Sequence, residues 1–403
     1  MTVLDVKQAT EKIKRNEASY KFTTGEIGAV SRVDTNQVQS NSPIEDHIAS
    51  DKIDLGKGGI WHAWAVYDGH GGQHTAIVLA HALIPYVERS LKAHFDSPTD
   101  STIETSIISA FKTLADEISE DGLTALTSGK SHAEVQARLA ANYAGSCALL
   151  ALYNPADSTL YVANTGDSRA VLGTPAESGY DTVALSDDHT ASNEAEVARV
   201  QALHPDQKDD LITKRDGDCH RYAGIAVTRA FGDARWNWPE EAMTKWEKEF
   251  SGKPAPGVVK EPPYLEATPE VKSYTLKGGE FLVLASDGLW NHLSSEGVVE
   301  GVGKWISAVK EGKLAEVGSG SPVAFGGGEV TDGQAQGISF WDYWKTKPEW
   351  FVYEDDNAAT HLVKNAFGGL QRQLFTGVMT VDTPVSKTMR DDVSVQVVFF
   401  DGA

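Results

Sequence analysis

The chain has 403 residues, 41% of them hydrophobic, so it is long enough for one large or two ordinary domains and apolar enough to bury a core. Its 57 acidic against 36 basic side chains leave a formal charge of −21, which repels nucleic-acid backbones and anionic lipid surfaces and argues against both as partners. Two cysteines, Cys147 and Cys219, cannot build a disulfide framework, and no apolar run approaches the roughly 20 residues of a spanning helix, so no membrane insertion is expected.

In chain order, residues 3–17 read as an amphipathic helix, with Val3, Leu4, Val6, Ala9 and Ile13 near one face. Residues 1–22 are thus a helical extension, with no signal-peptide pattern and no Arg-rich presequence. Residues 23–50 read as irregular and polar, leading to a strand over 60–67. Gly69, Gly71 and Gly72 make a tight exit from it, and 76–91 and 103–118 have helical periodicity. A meander follows: strands over 146–153, 159–164 and 170–173, the first two joined by turn residues Asn154 to Ser158. A helix over 193–203, capped by Ser192 or Asn193, precedes strands over 271–276, 281–285 and 394–400. Helices and short-connected strands in blocks predict an α+β fold, two antiparallel sheets flanked by helices, with 23–403 as a single catalytic unit. Stretches near 205–222, 235–264 and 309–356 read as insertions, the last containing a Gly- and Ser-rich loop at 318–337.

Asp68, Asp167 and Asp287 each follow an apolar, β-prone run, and Asp391 stands at the start of another. Carboxylates collected from distant strand ends are how a rigid sheet gathers oxygen ligands for hard divalent cations. In Asp68-Gly69-His70-Gly71-Gly72 the aspartate can bridge two ions, and glycine lets its own carbonyl join them. Read alone, this segment is as readily an ordinary turn, and Ser286-Asp287-Gly288 and Asp391-Asp392 are more often caps; the combination is the signal. Other residues read as structural. His189 suits a loop-capping role, Arg169 an ion pair, and Trp236, Trp238, Trp246, Trp341, Trp344 and Trp350 the anchoring of insertions. Asp209, Asp210, Asp216 and Asp218 read as solvated loop charges.

These residues resemble the metal-dependent serine/threonine protein phosphatases of type 2C. The likeness runs in order from about residue 41 to 400, through Pro43-Ile44-Glu45-Asp46, Tyr67-Asp68-Gly69-His70-Gly71-Gly72, Gly145-Ser146-Cys147, Ala163-Asn164-Thr165-Gly166-Asp167-Ser168-Arg169, Ser186-Asp187-Asp188-His189, Thr228-Arg229-Ala230-Phe231-Gly232-Asp233, Ala285-Ser286-Asp287-Gly288-Leu289-Trp290 and Arg390-Asp391-Asp392-Val393-Ser394. It is similar in particular to the mitochondrial pyruvate dehydrogenase phosphatases, through Asn41 to Asp46, Trp236 and Trp238, the stretch 263–271 and Asn357 to Leu362.

The resemblance implies a four-layer αββα sandwich with a dinuclear site at one edge. Asp68, the Gly69 carbonyl, Asp287 and Asp391 would hold two Mg²⁺ or Mn²⁺ ions, with Glu45 and Asp46 holding bound waters and Asp167 helping a further, weaker ion. His70 matches the general acid. Much of the family has an arginine for phosphate where this chain has Asn41, so phosphate binding here should lean on the metals. Cys147 stands where threonine is common. The implied activity is hydrolysis of phosphoserine and phosphothreonine by direct attack of a metal-bridging hydroxide, with pyruvate dehydrogenase in mitochondria as the expected substrate. Two alternatives stand beside it: a mitochondrial phosphatase with other substrates, and a pseudophosphatase that only binds.

Overall fold

The computed structural model describes residues 2–23, 25–94, 99–214, 220–324 and 344–401. Two antiparallel sheets face each other. In one, strands Ala18–Lys21, Val30–Val38, Val393–Phe400, Phe281–Ala285, Arg169–Pro175 and Tyr180–Ala184 lie side by side in that order. In the other the order is Glu270–Thr275, Thr159–Thr165, Ala148–Asn154, Ile60–Tyr67 and His47–Asp54.

Strand periodicity explains the layers, because alternate side chains leave opposite faces. Trp64 and Val66 enter the space between the sheets, where they meet Leu149, Leu172, Leu284 and Val398. Their neighbours Ala63, Ala65 and Tyr67 point the other way, onto Leu79 and Leu83 of helix His74–Ala93 and Ile107 and Phe111 of helix Asp100–Thr127. On the far side Val283, Val395 and Val397 meet helices Ser295–Lys310, Ala358–Ala366 and Arg372–Thr380 through Val298, Leu362 and Phe375. Each buried valine, leucine, isoleucine or phenylalanine among them contributes about 1.5 to 3 kcal/mol. The result is the expected αββα sandwich.

The stretch 23–50 is not irregular, as composition had suggested: it contains the strand Val30–Val38 and the start of His47–Asp54. The first hides its β pattern because Asp34 and Asn36 are buried and find partners on the helix beyond. Asp34 accepts from Ala358 N at 2.7 Å, and the Asn36 amide donates to Thr360 Oγ1 at 2.8 Å. The second is an edge strand whose middle is exposed, so it needed few apolar residues.

The N-terminal helix is shorter than expected, Val6–Ile13, with a capping box between Asp5 and Gln8. Ala9 and Ile13 are buried in the outer layer, and Ala18–Lys21 is already an edge strand of the sandwich. Trp238 and Trp246 tie the segment 235–264 to Leu126 and Leu139, and Trp344 stacks on His292 with centroids 4.0 Å apart. Cys219, Asp216, Asp218, Trp341 and most of the loop 318–337 lie outside the described residues. Among the described residues no helix is long and apolar enough to cross a membrane.

Candidate metal centre

The site forms where central strands of both sheets end. Asp68 follows Ile60–Tyr67, Asp287 follows Phe281–Ala285, Asp391 precedes Val393–Phe400, and Asp167 lies in the turn between Thr159–Thr165 and Arg169–Pro175. Asp68, Asp167 and Asp287 each offer a carboxylate oxygen within 4.8 Å of the others. Asp391 stands outside that trio but close enough for its charge to act on both Asp68 and Asp287.

Electrostatics set this cluster apart from a surface patch. Burial, and then the neighbouring charges of Asp46, Asp287, Asp167 and Asp391, drive the Asp68 carboxyl well above the usual range. Asp287 and Asp46 are displaced upward in the same way, burial first and like charge second. Asp167 and Glu45 are raised for the same reasons, and Asp391 is pushed up to about 6. Arg169 feels the Asp167 charge but is itself paired with Asp188 at 2.6 Å and lies over the Trp290 ring, and the net displacement of Asp167 is still upward. Asp46 Oδ2 is buried without a hydrogen-bond partner. Crowded hard oxygens of one sign, one of them orphaned, fit divalent cations such as Mg²⁺ or Mn²⁺.

Close backbone approaches hold the loops together. A Cβ on Gly69 would lie 2.3 Å from the Glu45 carbonyl, and one on Gly288 would lie 2.1 Å from the Asp392 carbonyl. His70 sits half-exposed at the rim, with Nε2 2.7 Å from Asp233 Oδ2. Burial pulls its pKa down, but Asp233, Asp167 and Glu45 more than offset this and the net displacement is upward.

Residues 31–318 match the family model described as Protein phosphatase 2C. The chain belongs to this family. It is 34% identical over 404 residues to a protein phosphatase 2C homologue of Schizosaccharomyces pombe, covering 96% of this chain and 84% of that protein. It is 30% identical to mitochondrial [pyruvate dehydrogenase [acetyl-transferring]]-phosphatase 1 of Saccharomyces cerevisiae, covering 99% of this chain and 73% of that protein. The Bos taurus protein of the same name is 29% identical, with 98% and 82% covered. The crystal structure of a serine-threonine phosphatase 2C from Toxoplasma gondii shares the fold, with a TM-score of 0.51 at 14% identity over 96% of this chain and 99% of that one. As a protein phosphatase 2C the chain is a serine/threonine phosphatase of a metal-dependent family.

Three residues of this phosphatase 2C chain organise the centre although sequence reasoning gave them no role. Asp392 accepts from the backbone N–H groups of Ser40, Asn41 and Glu45, and so folds the loop that carries Glu45 and Asp46. Asn41 also donates its side-chain amide to Asp392 Oδ2 at 3.0 Å, so the side chain expected beside phosphate is engaged within that loop. Cys147 donates its backbone N–H to the Asp68 carbonyl at 2.8 Å and its thiol to Asp167 Oδ1 at 3.2 Å. Asp233 is the third. All three lay inside recognised motifs, but their partners are remote in sequence and carried no signal.

His189, Glu196 and Glu270 form a second group with metal-ligand spacing. Its chemistry is different, because Glu196 is already engaged by Arg199 at 2.7 Å and Arg229 at 2.6 Å, and by the Thr228 hydroxyl. His189 Nδ1 accepts from Gly166 N–H at 3.2 Å, which leaves the ring proton on Nε2, facing Glu270. This is an ion network that braces the turn before Asp167.

Proposed function

We propose that this chain removes phosphate from phosphoserine and phosphothreonine of pyruvate dehydrogenase in mitochondria, and that the buried carboxylates are its metal centre. The observation that carries the chemistry is the convergence of Asp68, Asp167 and Asp287 within 4.8 Å under mutual repulsion.

In this reading Asp68, the Gly69 carbonyl, Asp287 and Asp391 hold two Mg²⁺ or Mn²⁺ ions, Glu45 and Asp46 anchor the surrounding waters, and Asp167 serves a further ion. When bound, the two ions supply a water of lowered pKa for direct attack on phosphorus and neutralise the phosphoryl oxygens. The chain's own contribution is rigid positioning, from strand ends and from the loop that Asp392 folds. His70 gives its proton to the serine or threonine oxygen as the P–O bond breaks, since an alkoxide is a poor leaving group. With the Asn41 amide engaged by Asp392, phosphate binding leans on the metals. No cysteine nucleophile is required, in keeping with a buried thiol whose pKa is driven up by burial and then by Asp167 and Asp68.

The pyruvate dehydrogenase assignment is supported by the names of the yeast and bovine relatives, which this chain matches over nearly its whole length. The test is to incubate the chain and Mg²⁺ with phosphorylated pyruvate dehydrogenase and with an unrelated phosphoprotein, with and without EDTA. Fast, EDTA-sensitive release from the first and slow release from the second is the expected result. Equal rates would leave a broader phosphatase, and no release from either would leave a binding module.

A further inference from the structure

His70 owes its place to a miniature sheet set beside the two large ones. Gly69–His70, Gly145–Ser146 and Phe231–Gly232 pair antiparallel, with His70 opposite Gly145 and Gly145 opposite Gly232. The middle position is the informative one. A Cβ on Gly145 would lie 2.1 Å from Asp233 Oδ2 and 2.2 Å from His70 Nε2, so the missing side chain is the space in which the two groups meet.

Asp233 reaches that space from an unusual backbone. Its φ of 52° and ψ of 46° are left-handed, a region that residues with a Cβ adopt uncommonly. Its N–H donates to the Ala144 carbonyl at 3.0 Å, and its carbonyl accepts from Trp236 N–H at 2.9 Å. Its side chain is 4% exposed, against 32% for His70. A left-handed, buried aspartate aimed over a glycine at an imidazole is a constructed contact.

We infer that Asp233 is the positioning residue for His70: its carboxylate accepts from Nε2–H, fixes the ring plane, and leaves Nδ1 as the atom that delivers the proton to the departing oxygen. A carboxylate behind an imidazole sets both tautomer and orientation, as in other acid–base pairs. The proton balance is simple. The charged ring carries hydrogen on both nitrogens, Nδ1–H passes to the seryl or threonyl oxygen, and Nε2–H stays with Asp233. This inference rests on the proposed role of His70.

The test uses the full chain with Mn²⁺, a phosphothreonine peptide, and p-nitrophenyl phosphate, whose leaving group needs no proton. Asp233→Ala is expected to lower kcat on the peptide about 10²-fold, with KM within about twofold, and to lower kcat on p-nitrophenyl phosphate by less than about fivefold. Asp233→Asn, which keeps an acceptor but loses the charge and can also present its N–H₂ to the ring, is expected to fall between Asp233→Ala and wild type on the peptide. In a His70→Ala background, Asp233→Ala is expected to cost nothing further on the peptide. Equal losses on the two substrates, or an undiminished loss in that background, would overturn the inference. A readout independent of turnover is ¹⁵N-histidine NMR of the metal-free chain, in which His70 should show an exchange-protected proton on Nε2 that Asp233→Ala removes; a proton on Nδ1 alone would overturn it. Wild type inert toward every phosphoester sinks the proposed function instead, while the NMR result still decides the Asp233 contact.

Discussion

The backbone N–H of Asp287 lies 3.4 Å from Oδ2 of Asp68, although 219 residues separate them in the chain. One comes from the five-stranded sheet and the other from the six-stranded sheet, so packing the two sheets is what assembles the site. The sandwich core and the carboxylate cluster are therefore linked: the energy that buries Val66 and Leu284 in one core also holds two repelling carboxylates together.

That repulsion predicts a trade between stability and function. Asp287→Asn removes one buried like charge, so the metal-free variant should melt at a higher temperature than metal-free wild type. The same variant should lose the Mn²⁺-dependent rise in Tm, which in wild type is worth about 2.7 kcal/mol at 100 times Kd, together with activity. Differential scanning calorimetry with and without Mn²⁺ checks both halves, and an unchanged Mn²⁺ response would contradict the ligand role.

Gly69 tests the close approach of the two site loops. Gly69→Ala places a methyl group 2.3 Å from the Glu45 carbonyl, so one loop must move. Overpacking of this kind costs about 1 to 3 kcal/mol, and a shift of about 1 Å in reacting groups costs on the order of 10²-fold in rate. Urea unfolding and kcat on a phosphopeptide measure the two effects, and full activity would show the approach is dispensable.

His70→Ala should slow hydrolysis of a phosphoserine peptide by about 10² to 10⁴ and that of p-nitrophenyl phosphate far less. Steady-state kinetics on both substrates decide it. Equal losses would take proton donation away from His70.

The Glu196 network predicts a pH dependence of stability. Against the penalty of burial, hydrogen bonds from Arg199, Arg229 and Thr228 hold the Glu196 pKa far below its ordinary value. A depressed folded-state pKa gives stability that is whole above the unfolded pKa of about 4.3 and is lost as pH falls through the folded one. Glu196→Gln, which leaves the buried Arg229 with Glu270 at 3.7 Å as its remaining carboxylate, should cost about 3 kcal/mol at pH 7. The difference from wild type should hold down to about pH 4.3 and shrink below it. Urea melts across that range measure the difference; a constant gap down to pH 3 would contradict the assignment.

How much was legible in the sequence depended on where each residue's partners lie. Phe281–Ala285 was readable to the residue because it is an uninterrupted apolar run, buried on both faces. Val30–Val38 was not, because Asp34 and Asn36 find partners in a helix 324 residues away. That helix, Ala358–Ala366, was hidden as well: all its residues are buried, yet it carries Lys364, which is paired with Asp355 at 2.6 Å. The strand-end aspartates were legible because each sits beside its own apolar strand. Asp233 was invisible as a partner because 163 residues and a glycine gap stand between it and His70.

The central claim is that the carboxylates of Asp68, Asp287 and Asp391 hold catalytic cations. The most direct measurement is anomalous scattering at the manganese edge from crystals of the chain soaked in Mn²⁺. Two strong peaks between Asp68, Asp287 and Asp391, both removed by EDTA, are the predicted result. A map without manganese at these three residues, from crystals grown of active protein, would contradict the account.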